Sequence, residues 1–196
     1  MENDPPEEKK FITNVLDLTA LVHELATTCW QKGIKEINPQ LVLFAEKYLE
    51  SCDSTQLIEK FIDSCNKHYE TGKYDPTKDY WEKIRERNEV FFAENAHSIF
   101  NNLPVDTKNI NAFKIFFTAK DDQGNKIIPD DDRNAIWDIF DSLVKISIKY
   151  VHRIREVRLD KTEQGLRPVY TNNKFPQIKV RKLAKIWDIT LPIPEA

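Results

Sequence analysis

Residues 131–158 read DDRNAIWDIFDSLVKISIKYVHRIREVR, and the fold turns on this stretch. Ile136, Ile139, Phe140, Leu143, Ile146, Tyr150, Ile154 and Val157 recur at three- and four-residue steps, which is the period of a helix. Trp137, Val144, Ile148 and Val151 widen the stripe beyond one face. A helix apolar over so much of its circumference needs neighbours on several sides, so the expectation is a central helix from Asp131 to Arg158. Asp130, Asp131 and Asp132 would sit at the positive end of its dipole. Asp138, Asp141, Lys145 and Lys149 interrupt the apolar run, which makes it unfit to cross a membrane.

Other amphipathic segments precede it. Phe11, Val15, Leu18, Val22, Leu25, Ala26 and Cys29 form one stripe that opens after Asp4-Pro5-Pro6 and stops at Gly33. Asn38-Pro39 restarts a helix through Leu41, Val42, Phe44, Ala45, Tyr48 and Leu49. Asp53-Ser54 opens a third, with Leu57, Ile58, Phe61, Ile62, Cys65 and Tyr69 inward and Thr71-Gly72 at its end. A fourth runs from about Lys78 to about Phe100, burying Trp81, Ile84, Phe91, Phe92, Ala96, Ile99 and Phe100, until Asn101-Asn102-Leu103-Pro104 breaks it. Asn109 can cap a short helix through Ala112, Phe113, Phe116 and Phe117, followed by a polar turn at 120–126.

Beyond Leu159 the pattern is interrupted by Gly165, Pro168, Asn172-Asn173 and Pro176. A short basic helix over Gln177–Trp187 fits, with Val180, Leu183, Ala184 and Trp187 on its apolar side; Ile178-Lys179-Val180 also fits a strand. Leu191-Pro192-Ile193-Pro194 is extended, because proline cannot continue a helix. The reading is an all-α compact bundle of about five or six helices around the central helix 131–158, with an irregular basic C-terminal extension. Residues 1–158 form the helical domain, and 159–196 an extended or short-helical tail packed on the body or on a partner.

Composition agrees with that class. Among 196 residues only 4 are glycine, whereas sheet-rich folds consume glycine in turns of positive φ. Cys29, Cys52 and Cys65 are three in number and follow no disulfide framework, which favours reduced thiols. The acidic start, Met1 to Glu8, lacks the apolar core of a secretory signal, so the expected location is cytoplasmic rather than secreted.

No catalytic motif stands out. The chain has no G-x-S-x-G, no P-loop and no G-x-G-x-x-G, and His23, His68, His97 and His152 lie on different predicted helices. Cys52, Cys65 and His68 are too few for a structural zinc site, which wants four ligands. If Gly124 is set at the central glycine of a calcium loop, Ala119 falls at the first ligand position, where a carboxylate is required. The expectation is therefore no enzyme, no metal and no cofactor.

Charge is the feature that points to a function. From Lys145 to Ala196 there are 12 Lys+Arg against 5 Asp+Glu, a net +7, which leaves −10 on the residues before it. Phe175, Arg181, Lys182, Lys185, Trp187 and Ile189 suit a tail that binds a protein partner, self or other, through an aromatic anchor in a groove. The alternative is nucleic acid held by Arg153, Arg155, Arg158, Lys179, Arg181, Lys182 and Lys185. A pI of about 5.9 weighs against it. A third reading, an enzyme of unidentified type, would need a pocket of converging polar groups.

Trp81, Ile84, Asn88, Phe91-Phe92 and Glu94-Asn95 are followed by Leu103-Pro104, Ile110-Asn111-Ala112-Phe113-Lys114, Asp132-Arg133, Ile136-Trp137 and Phe140. In this order the stretch 80–158 resembles small helical proteins of nucleocytoplasmic large DNA viruses, and an Asn-, Lys- and Ile-rich composition suits an AT-rich viral genome. The resemblance implies a virus-encoded virion or assembly component made in the host cytoplasm, and it brings no catalytic residue with it.

Overall fold

Residues 5–67, 73, 75, 78–100, 114–162, 165–172 and 174–192 are described by a computed structural model; for 96–100, 156–162 and 165–172 the description is of the backbone. The protein is mostly helical, with eight helices and one two-stranded hairpin among the described residues.

α1 (Glu7–Gln31) starts at an extended Pro6 rather than at Asp4, which lies outside the described residues. Its end is set by Gly33 at φ 89, where Gly33 N–H donates to Trp30 O and Ile34 N–H to Cys29 O. Those are the reversed hydrogen bonds of a helix closed by a left-handed residue, a conformation that glycine adopts without a Cβ clash. α2 (Pro39–Glu50) and α3 (Ser54–Cys65) begin where the sequence placed them. Asn38 Oδ1 accepts from Gln40 N–H at 3.0 Å, and Asp53 Oδ1 accepts from Gln56 N–H at 2.8 Å. α3 closes at Cys65, earlier than expected; Tyr69, Thr71 and Gly72 lie outside the described residues.

The single helix expected over 78–100 is two: α4 (Tyr80–Arg85) and α5 (Glu89–Phe100). Arg87 takes φ 50 at the joint, and Asn88 Oδ1 accepts from Phe91 N–H, capping the second piece. The left-handed arginine is held from outside. Its guanidinium donates to Asn134, Asp138 and Asp141 on the central helix, and the two carboxylates hold its pKa above the usual range although burial alone would lower it. α6 (Ile115–Thr118) contributes buried Phe116 and Phe117, while the expected cap at Asn109 falls outside the described residues.

α7 (Asp130–Arg153) is the centre. It packs on α1 and α4, and Phe92 of α5 meets Trp137 at 4.8 Å and Phe140 at 5.3 Å between ring centroids, with Phe117 of α6 at 5.7 Å from Trp137. Ile136, Trp137, Phe140, Leu143, Val144, Ile148, Tyr150 and Val151 are all buried. Ser147 is buried too and donates to Leu143 O at 2.8 Å, so this buried hydroxyl is satisfied within the helix.

The helix ends at Arg153, not at Arg158. From Glu156 the chain switches to alternation of polar and apolar residues and forms β1 (Glu156–Thr162), antiparallel to β2 (Gly165–Asn172), with Leu159 opposite Pro168 and Thr162 opposite Gly165. Period two wins over period 3.6 there because Pro168 and Gly165 are poor helix residues, and a returning strand satisfies the backbone of 156–162. The extension beyond 158 is thus a hairpin followed by α8 (Val180–Ile186), rather than irregular throughout. Ile178-Lys179-Val180 is no strand: Val180 opens the helix.

α2 differs from the other long helices. It packs on α1, yet of its residues only Leu49 is buried, while Leu41, Phe44 and Tyr48 stand exposed on one side, Phe44 at 68%.

Candidate interaction face on the C-terminal helix

The tail lies on the body. Phe175, Ile178, Val180, Ala184 and Trp187 belong to the same buried cluster as Trp137 and Phe140, with Phe175 only 4% and Trp187 only 6% exposed. Phe175 and Trp187, expected to anchor in a partner's groove, therefore spend their apolar area on the protein's own core; Ile189 and Leu191 are half-buried against it. The physical reason is spacing: Val180, Ala184 and Trp187 fall on one face of α8, and that face meets α7.

Polar contacts fix the seat. Arg155 donates to Ile178 O at 2.6 Å and to Phe175 O at 3.4 Å, adding to the turn bonds that these carbonyls accept from Val180 N–H and Ile178 N–H. Lys174 pairs with Glu59 of α3, whose other carboxylate oxygen accepts from Tyr150 Oη at 2.9 Å. Burial and the adjacent Glu59 push the Tyr150 phenol well above its ordinary pKa of 10.0, so it remains a donor across the physiological range. Arg153 Nε pairs with Glu7 at 2.6 Å, and its outer nitrogen with Glu8, joining the first turn of α1 to the last turn of α7. His152 Nε2 lies 3.1 Å from Pro192 O.

The two basic clusters of the sequence are separated by this arrangement. Arg153 and Arg155 are used inside the protein, and Arg158 lies on β1 where the backbone alone is described. Lys179, Arg181, Lys182 and Lys185 remain exposed on the outer side of α8 and the residue before it, with Ile186 exposed among them at 45%. Asp188 follows at φ 52 and closes the helix through Ile189 N–H donating to Ala184 O at 2.8 Å. The sequence did not single out Ile186. Its signal is a position out of phase with Val180, Ala184 and Trp187, which turns an isoleucine to the outside.

The described residues assemble no reaction chemistry around the remaining candidates. Cys65 is buried, its thiol pushed far up by burial; Cys52 is half-buried; His68 lies outside the described residues. Among the described residues no three His, Cys, Asp or Glu side chains are placed to hold a metal ion. Asp121 spends its oxygens on the N–H groups of Gln123 and Asn125 and on the Asn125 amide, which makes the polar turn a self-contained loop. An open depression of about 490 Å³ beside Lys126, Ile128, Pro129, Asp130 and Arg133 has its charges paired, Lys126 and Arg133 on Glu89, and Arg133 on Asp130. Among the described residues no helix is long and apolar enough to cross a membrane.

What the geometry offers is a short helix with one greasy side clamped to the body and one cationic side presented outward. No protein-family model matches the chain, and no curated protein or solved structure matches it either.

Proposed function

We propose that this is a non-catalytic interaction protein that docks an acidic protein surface on the outer face of α8. The observation that carries the reading is the two-sidedness of α8: Val180, Ala184 and Trp187 are buried while Lys179, Arg181, Lys182, Lys185 and Ile186 are exposed. A helix already seated on a core loses little further entropy when a partner arrives, so a modest contact suffices. The cations steer the encounter, and Ile186 supplies apolar contact where they surround it. The acidic character of the rest of the chain leaves this face as a local positive field.

Nucleic acid is the second reading. It is weakened by the internal use of Arg153 and Arg155, which removes two of the seven cations it called on. The resemblance of 80–158 to small helical proteins of nucleocytoplasmic large DNA viruses supports placing the partner in an assembling virion.

The test is fluorescence anisotropy with the full chain and two probes of equal charge, an acidic amphipathic helical peptide and a single-stranded oligonucleotide, at about 150 mM salt. The peptide should bind more tightly, and Ile186→Glu with Lys182→Glu should weaken it at least about tenfold while the melting temperature holds. Tighter oligonucleotide binding, with a log–log salt slope of about −3 or steeper, would replace this reading with the second.

A further inference from the structure

We infer that Asp188 is the specificity-determining residue of the α8 face: it selects an acidic protein segment flanked by a cation and rejects a continuous polyanion. The inference rests on the reading of α8 as a docking face and names the chemistry of the partner that face takes. Asp188 is the only carboxylate between Glu163 and Glu195, in a stretch that holds Lys174, Lys179, Arg181, Lys182 and Lys185.

Its position goes against two local preferences. The residue after the C-cap Trp187 takes φ 52, where glycine is the usual occupant and aspartate one of the tolerated few. The last turn of a helix is also the negative end of its dipole, where a cation is favoured and a carboxylate is not. Among the described residues nothing offsets this: Asp188 is exposed, and no cation or N–H group meets its carboxylate. Local rules broken without internal compensation mark strained or functional positions.

The neighbours indicate which function. Asp188 lies two residues beyond exposed Ile186 and three beyond exposed Lys185, at the C-terminal edge of the outer face. A partner that sets carboxylates against Lys182 and Lys185 and an apolar side chain against Ile186 reaches Asp188 next. A protein can place a lysine or arginine there, and the exposed carboxylate then gains the partner it lacks. A nucleic-acid strand cannot change sign: its phosphates recur along the backbone, and the next one meets Asp188 as a like charge. The carboxylate is thus repulsive toward polyanions and attractive toward a mixed-charge segment. Glycine would relieve the turn but discriminate nothing.

A double-mutant cycle by fluorescence anisotropy with the full chain tests this at about 150 mM salt, where only charges in near contact stay coupled. The probes are two acidic amphipathic helical peptides identical except at their ends, one flanked by lysines and one by glutamines. Asp188→Asn, which keeps a side chain tolerant of positive φ, should lower the preference for the lysine-flanked peptide by about threefold. Asp188→Gly should do the same, and Asp131→Asn, at the opposite end of α7 from Arg153, should leave the preference as it is. At about 50 mM salt, both Asp188 variants should bind a single-stranded oligonucleotide about threefold more tightly than the wild type. An unchanged peptide preference in Asp188→Asn overturns the inference, as does an equal shift in Asp131→Asn, which would reduce the effect to net charge. So does an oligonucleotide affinity that neither Asp188 variant alters. Failure of the docking reading itself is seen separately, in the wild type, which then binds neither peptide or binds the oligonucleotide more tightly at the same salt.

Discussion

α7 and α2 are written in the same alphabet. Both open at a proline turn and carry apolar residues at three- and four-residue steps, yet α7 buries Trp137, Phe140, Leu143 and five other apolar side chains whereas α2 buries Leu49 alone. The difference lies in the neighbours. α7 is met by α1 and α4, by the rings of α5 and α6, and by α8, while α2 is packed on α1 and left open on the side of Phe44. An apolar stripe states that a helix wants cover; it does not state whether the cover comes from the same chain.

The comparison can be broken most sharply at its centre. Trp137→Ala removes a ring that touches Phe92, Phe117 and Phe140 and leaves a void no neighbour can fill; a loss of about 3–5 kcal/mol is expected by chemical denaturation. A loss below about 1 kcal/mol would mean that α7 is not the hub. Next comes Trp187→Ala, expected to cost about 2–4 kcal/mol and to make the segment after Phe175 the first site of limited proteolysis. Lys182→Ala, on the outer side of the same helix, should stay within about 0.5 kcal/mol.

Smaller effects sharpen the picture. Tyr150→Phe removes the hydrogen bond to Glu59 and should cost about 1–2 kcal/mol at neutral pH. It also predicts a pH signature. The folded-state pKa of Tyr150 lies above the 10.0 of the unfolded chain, so the contribution of this phenol is complete below pH 10 and is lost as pH rises above it. The wild-type melt should therefore fall more steeply above pH 10 than that of Tyr150→Phe; parallel curves would show that the phenol ionises freely. The smallest effect belongs to α2: Phe44→Ala should change stability by less than about 0.5 kcal/mol in dilute solution, because a side chain 68% in water has little left to lose.

Local chemistry made much of this legible. Asn38-Pro39 and Asp53-Ser54 announced α2 and α3 because a cap and the helix it starts are neighbours in the chain, and the girth of the α7 stripe announced a central helix. The break at Arg87 was hidden because nothing nearby demands it. Arginine has no taste for positive φ, and the groups that hold it there, Asp138 and Asp141, lie 51 and 54 residues away. The hairpin was hidden for another reason: Val157 satisfies the helical period of the preceding stripe and the alternation of β1 alike, and only the distant pairing with 165–172 decides between them. At the candidate site, the cations of α8 were legible from composition. The inward turn of Phe175 and Trp187 was not, since an apolar side chain fits the protein's own core and a partner's groove equally well.

The position of Phe175 and Trp187 in the core has a consequence for how the chain is made. A ribosome must have emitted the chain as far as Trp187 before the apolar side of α7 can be closed, because part of its cover is encoded more than twenty residues after the helix ends. Until then the nascent α7 depends on α1 and the aromatic helices, and contacts of such long sequence separation form slowly. Fusions that split the chain at Leu159 would separate the hub from its last cover and should yield insoluble halves rather than two working modules.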